Sequence, residues 1–206
     1  EACPSGRYQE GERVLLWGFD RGLFQEYVLA DDKGGGIRLP TDLPEEKVLM
    51  SQLLGTVIHS FYKLGNIIDQ DVLVIGQGPV GLLFNAVLRN LGARRIIALD
   101  KLDYRLEVGR RMGATHVINP AQQDPATAVA QITGGAMADL VIEAVGITDT
   151  LNLVPSLCRR NAQVICFGVP DKEHHEGLCN IRVLDMLRQE LRLTFSVGPD
   201  PDRDYR

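Results

Sequence analysis

The sequence predicts an α/β fold in which a doubly wound, parallel, six-stranded sheet follows a stretch of all-β material. From about Leu73 onward, short apolar runs without polar alternation are separated by helical stretches. This rhythm is typical of parallel strands that are buried on both faces and joined by right-handed crossovers. In the first 43 residues, by contrast, strand-like runs follow one another with no helix between them. The chain is therefore expected to contain two kinds of structure.

The N-terminal elements come first. Strands are predicted over residues 13–17 and 23–29, joined by a turn over 18–22, because both runs are rich in apolar and aromatic residues. A glycine-rich loop over 31–36 precedes a short strand over 37–40. Pro44 favours the start of a helix that continues to about residue 64. We place the domain junction on this helix, which gives a first domain over residues 1–50 and a second over residues 51–206.

The second domain carries the six strands of the predicted sheet. Each is a short run rich in Val, Ile or Leu, and the last one alternates, as an edge strand with one face in water would. The strands are predicted over residues 72–75, 95–99, 116–118, 139–143, 163–167 and 191–195. The helices between them are bounded by Gly, Pro, Asn or Asp and are predicted over residues 79–91, 103–112, 125–132, 148–159 and 182–189.

Composition excludes several classes of protein. The 206 residues are 45% hydrophobic and 24% charged, which is ordinary for a globular protein. A net charge of −5 disfavours nucleic acid or an anionic membrane as the main partner, because both need a basic face. No apolar run approaches the roughly 20 residues of a membrane span, and the first residues given lack the basic-then-apolar pattern of a signal peptide. The four cysteines lack paired spacing, which predicts a reduced, cytoplasmic protein. Because the first residue is Glu, we expect sequence to be missing upstream.

The strongest motif is a glycine-rich turn, Gly76-Gln-Gly78-Pro-Val-Gly81, which directly follows a predicted buried strand and opens a predicted helix. Gly76 permits the tight turn out of the strand, Gly78 leaves room for a pyrophosphate against the backbone, and Gly81 lets the helix pack closely. Pro79 suits the first helical turn, where its missing N–H costs nothing. Free N–H groups and the helix dipole would then hold a phosphate.

Asp100 ends the next predicted strand, 19 residues after Gly81. A carboxylate at this position accepts hydrogen bonds from the adenosine ribose hydroxyls of a dinucleotide. The 2′-phosphate of NADP would be repelled there by about 1–4 kcal/mol, which predicts a preference for NAD. Lys101 and Arg105 follow closely and would offset part of this repulsion. Arg105 is expected near the adenosine edge, with an ion pair as the alternative.

Two later strand ends contain glycines at the edge where ligands bind in open α/β sheets. They are Glu143-Ala144-Val145-Gly146 and Phe167-Gly168-Val169-Pro170. Glycine at these positions would permit the close approach of a flat ring, or it would simply end a strand in a turn.

These segments together resemble the medium-chain dehydrogenase/reductase superfamily, which includes the zinc-type alcohol, polyol and threonine dehydrogenases. The resemblance begins with the segment over 22–28, Gly-Leu-Phe-Gln-Glu-Tyr-Val, and with the segment over 54–59, Leu-Gly-Thr-Val-Ile-His. It continues through the glycine turn, the segment over 113–120 and the two later strand ends. The order of the whole series makes the resemblance specific.

The resemblance implies a GroES-like catalytic domain, here only a remnant, joined to a Rossmann domain. It also implies that Thr56 and Val80 face the nicotinamide, while Val145 and the segment Phe167 to Val169 flank it. The last strand, over 191–197, would pair with its twin in a homodimer. The expected cofactor-binding residues are Thr56, Gly76, Gly78, Pro79, Val80, Gly81, Asp100, Lys101, Arg105, Ala144, Val145, Gly146, Phe167, Gly168 and Val169.

The sequence departs from the family at its zinc sites. Family members are longer, and the Cys and His that begin their catalytic zinc site would lie before residue 1. Gln52 occupies the family's third ligand position, where a neutral amide is a much poorer zinc ligand than a carboxylate. Cys3 resembles one ligand of the structural zinc site, but the next position is Gly11. We therefore expect no zinc in this chain, and no catalytic residue can be named.

The four histidines are expected to be structural or solvated: His59 on the junction helix, His116 in a strand, and His174 and His175 in a charged loop. The predicted function is hydride transfer between NAD(H) and a small secondary alcohol or polyol, or its ketone. The alternatives are a zinc-free reductase of the same superfamily, a nucleotide-binding module without turnover, and a methyltransferase with a similar glycine turn.

Overall fold

The computed structural model describes residues 42–170 and 180–198 in full, and the backbone alone of residues 14–17 and 35–38. The chain divides into two compact units. The larger unit contains residues 57–197, and the smaller contains residues 1–56 with residues 198–206. The sequence places the junction a few residues earlier, between residues 50 and 51, and that boundary remains a prediction.

The described part of the smaller unit contains a strand pair and most of one helix. β1 (Val14–Trp17) pairs antiparallel with β2 (Gly35–Arg38). β2 begins earlier than the predicted strand over 37–40, because Gly35 and Gly36, expected in a loop, pair with Trp17 and Leu16. The predicted strand over 23–29 and turn over 18–22 lie outside the described residues. α1 (Glu45–Phe61) begins just after Pro44, as expected, and carries Glu45 and Glu46 in its first turn, where the helix dipole favours acidic side chains.

The larger unit contains the predicted parallel sheet, so the Rossmann-like α/β architecture is confirmed. The strands lie in the order β5-β4-β3-β6-β7-β8, and every neighbouring pair is parallel. The order reverses between β3 and β6, which makes the crevice at their carboxyl ends a topological switch point. The strands are β3 (Asp71–Ile75), β4 (Arg95–Leu99), β5 (His116–Ile118), β6 (Ala138–Glu143), β7 (Cys158–Cys166) and β8 (Arg192–Phe195).

Helices pack on both faces of this sheet. On one face, Phe84 and Leu88 of α2 and Leu106 of α3 join one hydrophobic core. On the other, Val129 of α4 and Val154 of α5 join a second core. The helices are α2 (Pro79–Asn90), α3 (Asp103–Arg111), α4 (Pro125–Thr133), α5 (Thr148–Leu157) and α6 (Val183–Arg188). Each lies within two residues of its predicted bounds.

The predicted start of the fifth strand of the sheet is wrong. β7 begins at Cys158, five residues before residue 163, and it directly follows α5. Cys158 is buried, residues 159–161 are exposed, and Asn161 adopts a left-handed backbone with φ of 63°. Ala138 pairs with Cys158 and Leu140 pairs with Gln163, so β7 carries extra residues opposite β6. Residues 159–161 are polar, so the apolar pattern of the sequence does not detect this first part of β7.

The edge strand β8 was predicted to have one face in water, without a choice between its two faces. Leu193 and Phe195 are 41% and 74% exposed, whereas Ser196 is 5% exposed. The face of β8 that carries Leu193 and Phe195 is therefore the one exposed to solvent. An exposed apolar edge is typical of a surface that another chain covers.

Asp71 anchors the amino-terminal edge of the sheet. Its carboxylate is fully buried and accepts hydrogen bonds from Arg94 and Arg95, at distances of 2.6–3.0 Å. Its main-chain N–H donates to Asp139, which pairs in turn with Arg159. Burial alone would raise the pKa of Asp71, but the hydrogen bonds and charges of the two arginines outweigh it, so the pKa lies below its ordinary value.

The substitution Asp71→Asn is expected to lower the free energy of unfolding by about 1–2 kcal/mol, because both guanidinium groups lose their charged partner but remain partly solvated. The difference from wild type should be complete above a pH of about 4, the pKa of an unfolded aspartate. It should shrink as the pH falls through the lowered pKa of Asp71. Urea unfolding at several pH values measures it. The control is Arg160→Gln, which breaks the exposed pair with Glu190 and should change stability by less than about 1 kcal/mol.

Candidate functional site

The glycine-rich turn lies at the switch point of the sheet. Gly76 follows β3 with φ of +92°, and its N–H donates to the carbonyl of Leu99 at 2.8 Å. Gly78 is the N-cap of α2, and Pro79 is the first helical residue. No side-chain hydrogen bond caps this end of α2 within the described residues. Its main-chain N–H groups are therefore placed to bind an anion.

The three glycines of the turn meet different surroundings. A Cβ on Gly81 would lie 1.9 Å from the carbonyl oxygen of Gly76, so only glycine allows α2 to pack this closely. A Cβ on Gly78 would meet no atom within 4 Å. The fold thus requires Gly81 but does not require Gly78. Open space beside the free end of a helix is the kind of surface on which a phosphate can lie.

Asp100 lies beside this turn and is held by two main-chain groups. Its Oδ2 accepts from the N–H of Gln77 at 2.8 Å, and its Oδ1 accepts from the N–H of Leu102 at 2.9 Å. The residue is only 7% exposed. An ionised carboxylate has about four acceptor positions, so two remain for a ligand. The side chain that was expected to bind a ribose is therefore fixed in position by the backbone around it.

The two basic residues after Asp100 differ in their contacts with it. Lys101 is exposed, and its carbonyl accepts from the side chain of Asn119 at 3.3 Å. Arg105 Nη1 lies 3.7 Å from Asp100 Oδ2, which corresponds to the ion-pair alternative. The hydrogen bond with Tyr104 and its charge, followed by the charge of Asp100, raise the pKa of Arg105 above its ordinary value.

A buried amide pair beneath the turn was missed in the sequence. Asn85 Nδ2 donates to Gln77 Oε1 at 2.7 Å, and Gln77 Nε2 donates to the carbonyl of Val74 at 3.3 Å. Both side chains are almost fully buried. A Cβ on Gly109 would lie 2.8 Å from Gln77 Oε1, so α3 also packs against this pair. The one available signal was a polar Asn on the apolar side of α2.

The ends of β6 and β7 contact each other through their backbones. A Cβ on Gly168 would lie 2.0 Å from the main-chain nitrogen of Gly146, and a Cβ on Gly146 would lie 2.6 Å from the carbonyl of Val169. A Cβ on Gly76 would lie 2.7 Å from Val145 Cγ2. Gly146 and Gly168 were interpreted as making room for a flat ring or as simply ending their strands in a turn. The structure shows that they first make room for one another.

The side chains around these glycines offer an apolar surface. Val145 and Val169 are 39% and 73% exposed. Phe167 is half-buried and packs edge-on against Phe84, with ring centroids 5.2 Å apart. Ala144 and Val80 are half-buried, and Val80 packs against the core on the α2 side of the sheet. The exposed valines are therefore accessible to a ligand, whereas part of the Phe167 ring is covered by Phe84.

Glu143 is the most informative residue that the sequence left without a role. It is 1% exposed at the end of β6. Its Oε1 accepts from the N–H groups of Val145 and Gly146, both at 2.9 Å, and from the hydroxyl of Thr150 at 2.8 Å. Burial, and then the charge of Glu143, raise the pKa of the Cys166 thiol to about 11. A charged residue closing an apolar strand was the signal for a buried, functional carboxylate.

Two residues of α1 singled out in the sequence, Thr56 for the nicotinamide and Gln52 at the family's third zinc-ligand position, lie in the smaller unit. Thr56 donates its hydroxyl to the carbonyl of Leu53 at 2.7 Å. Gln52 is half-buried on the same helix. Across residues 42–170 and 180–198, no group of three His, Cys, Asp or Glu side chains lies close enough to hold a metal ion. Cys3, Gly11, His174 and His175 lie outside the described residues.

The other two histidines have structural surroundings. His59 is half-buried on α1. Nδ1 of His116 lies 2.9 Å from the Thr115 hydroxyl at the start of β5. Burial, with the charges of Arg95 and Arg110, lowers the pKa of His116.

None of the helices in the described part of the chain is long and apolar enough to cross a membrane.

Comparison with known proteins identifies enzymes whose sequences are related to this chain. L-threonine 3-dehydrogenase from Caldanaerobacter subterraneus subsp. tengcongensis is 30% identical over 173 residues, which are 84% of this chain and 49% of that protein. The enzyme of the same name from Bacillus velezensis is 32% identical over 145 residues, 70% of this chain and 42% of that protein. The chain therefore spans about half the length of the curated relatives it matches.

Comparison with solved structures finds dehydrogenases as well. An alcohol dehydrogenase from Thermus sp. ATN1 is 30% identical with a TM-score of 0.69, covering 79% of this chain and 46% of that one. Galactitol-1-phosphate dehydrogenase from Escherichia coli shares the fold, with 24% identity and a TM-score of 0.74 over 86% of this chain and 51% of that one. The family model described as zinc-binding dehydrogenase matches residues 79–206. The resemblance predicted from the sequence is confirmed, and the chain belongs to the zinc-binding dehydrogenase family of the medium-chain dehydrogenase/reductase superfamily.

Proposed function

We propose that this chain is the cofactor-binding part of an NAD(H)-dependent oxidoreductase. The enzyme transfers a hydride between the nicotinamide and a secondary alcohol or polyol, or the corresponding ketone. The observation that carries the proposal is the uncapped amino-terminal end of α2, with open space at Gly78 and the fixed carboxylate of Asp100 beside it. The relatives named L-threonine 3-dehydrogenase support the reaction class, because threonine carries a secondary alcohol at its third carbon.

The dinucleotide would lie across the carboxyl ends of the strands. Its pyrophosphate would bind the free N–H groups of the first turn of α2, against Gly78. The adenosine ribose would use the two remaining acceptor positions of Asp100. The nicotinamide ring would lie against Val145 and the segment from Phe167 to Val169, with Val80 facing it. The cofactor carries the hydride, and these residues position it.

The family's zinc does not fit the described residues. The amide of Gln52 is a weak ligand where the family has a carboxylate, and no three-residue cluster of stronger ligands lies within the described ranges. No step is therefore assigned to a metal. The amide at Gln52, where the family has a carboxylate, favours the second candidate function, a zinc-free reductase of the same superfamily that binds the same cofactor.

We also propose a homodimer through the last strand, over residues 191–197. The exposed apolar side chains of Leu193, Phe195 and Val197 support it, because pairing would cover them and satisfy the open edge of β8. A cytoplasmic location remains a prediction from the cysteine pattern.

The substitution Gly78→Ala tests the pyrophosphate site. Its Cβ meets no atom within 4 Å and its φ is −74°, so the variant should fold with an unchanged melting temperature. It should bind NADH at least about tenfold more weakly, because the methyl group occupies the phosphate surface. Calorimetric titration measures this. Gly65→Ala, another glycine with open space around it but far from the turn in sequence, is the matched control and should bind NADH as wild type does. Undiminished binding by Gly78→Ala would refute the site.

The choice between cofactors is tested by titrating the chain with NADH and with NADPH. Wild type should prefer NADH by a factor of about 5–1,000, the range that charge repulsion at Asp100 predicts. The variant Asp100→Asn should narrow this ratio, because it removes the charge but keeps the size of the side chain. Equal binding of both cofactors to wild type would mean that Lys101 and Arg105 outweigh Asp100.

The dimer is tested by sedimentation of Phe195→Asp. A charge on the exposed apolar face should raise the dimer dissociation constant by about tenfold or more. The control is Ile68→Asp, which places the same charge on an exposed apolar residue away from β8 and should leave the dimer intact. A wild-type chain that sediments as a monomer at high concentration contradicts the proposal.

A further inference from the structure

Two carboxylates are almost fully buried at opposite edges of the same sheet, and their surroundings differ. Asp71, at the amino-terminal edge, is 0% exposed and is neutralised by two arginines. Glu143, at the carboxyl edge, is 1% exposed, and no basic side chain among residues 42–170 and 180–198 forms an ion pair with it. An unpaired buried charge is costly, so its retention calls for a reason beyond stability.

Hydrogen bonds hold the Glu143 carboxylate but do not neutralise it. Its Oε1 accepts from two main-chain N–H groups and one hydroxyl, which is the arrangement of an ionised acceptor. The nearest titratable neighbour adds no charge of its own, because burial, and then Glu143 itself, raise the pKa of Cys166 to about 11. The start of α5 nearby offsets only part of a unit charge. Among residues 42–170 and 180–198, the charge at the carboxyl end of β6 is therefore a net negative one.

This charge lies where the proposed function puts the nicotinamide. The two N–H groups that hold Glu143 belong to Val145 and Gly146, and Val145 is among the residues that would flank the ring. The carbonyl of Glu143 also accepts from the N–H groups of Phe167 and Gly168, at 2.9 Å each, so the residue holds both ring-flanking turns. The oxidised nicotinamide ring carries a positive charge and the reduced ring carries none. A fixed negative charge beside the ring therefore stabilises the oxidised form selectively.

We propose that Glu143 is a positioning residue that also sets the relative affinity of the site for the two oxidation states of the cofactor, in favour of NAD⁺. The inference rests on the proposed function, since it requires that a nicotinamide bind at this edge. It assigns a second task to a residue whose hydrogen bonds would otherwise be explained by turn geometry alone.

The test is the ratio of the dissociation constants of NAD⁺ and NADH, measured by calorimetry on wild type and on Glu143→Gln. Glutamine keeps the size of the side chain and an acceptor oxygen for the three hydrogen bonds. Its dissociation constant for NAD⁺ relative to that for NADH should rise about 2- to 30-fold, the range for one pair of unit charges about 8 Å apart at an effective dielectric between about 80 and 20. ADP-ribose, which lacks the nicotinamide, should bind both proteins equally.

A pair of substitutions at Thr150 separates charge from structure without changing Glu143. Thr150→Val removes one of the three hydrogen bonds and should leave the ratio at its wild-type value. Thr150→Lys brings an ammonium group towards the carboxylate and should raise the ratio in the same direction as Glu143→Gln. This pair keeps the proposal testable if Glu143→Gln does not fold. Asp139→Asn removes an equal charge at the other end of β6 and should leave the ratio unchanged.

The outcomes are distinguishable. Glu143→Gln and Thr150→Lys variants that weaken NAD⁺ and NADH equally would overturn the inference and leave the proposed function standing. A wild-type chain that binds ADP-ribose but shows no difference between the two oxidation states, with none in the variants, would overturn it as well. A wild-type chain that binds none of the three ligands would overturn the proposed function, and the inference with it.

Discussion

Direct backbone contact at the carboxyl edge of the sheet is the constraint on which the rest of the site depends. Gly81 touches the carbonyl of Gly76, and Gly168 touches the backbone of Gly146, at separations that leave no room for a Cβ. Because side chains are absent from these contacts, main-chain groups form the surface of the crevice. The carboxylates of Asp100 and Glu143 then bind the N–H groups of the adjoining turns and fix their orientation. The chemistry of the site is thus set by backbone geometry, with two acidic residues as its braces.

The acidic residues at the two ends of the parallel strands differ in how their charges are paired. The amino-terminal edge pairs its acidic residues with arginines, and the charges there cancel locally. The carboxyl edge leaves one carboxylate loosely paired with Arg105 and another with no ion pair in the described part of the chain. Charges that cancel contribute to holding the fold, whereas charges that do not cancel are available to act on a ligand. The difference follows from the parallel arrangement, which gathers all the strand ends that bind ligands at one edge.

Most of the larger unit could be predicted from the sequence, and the failures have physical causes. The runs over 72–75 and 96–99 are apolar throughout because helices cover both of their faces, so the apolar pattern alone identifies these strands. The start of β7 could not be predicted, because its exposed residues Arg159, Arg160 and Asn161 give no apolar signal. The glycine turn and Asp100 were found because their chemistry needs fixed spacing. Glu143, Gln77 and Asn85 were not assigned roles, because a hydrogen-bond network joins residues whose spacing carries no motif.

The contrast between Gly78 and its two neighbours in the turn has a consequence for how such a chain changes over generations. Selection for folding alone retains Gly76, which lies in the left-handed region, and Gly81, which has no room for a methyl group. Selection for folding is indifferent to Gly78. A lineage that ceased to use a dinucleotide would therefore lose the middle glycine first, while the outer two persisted as relics of packing.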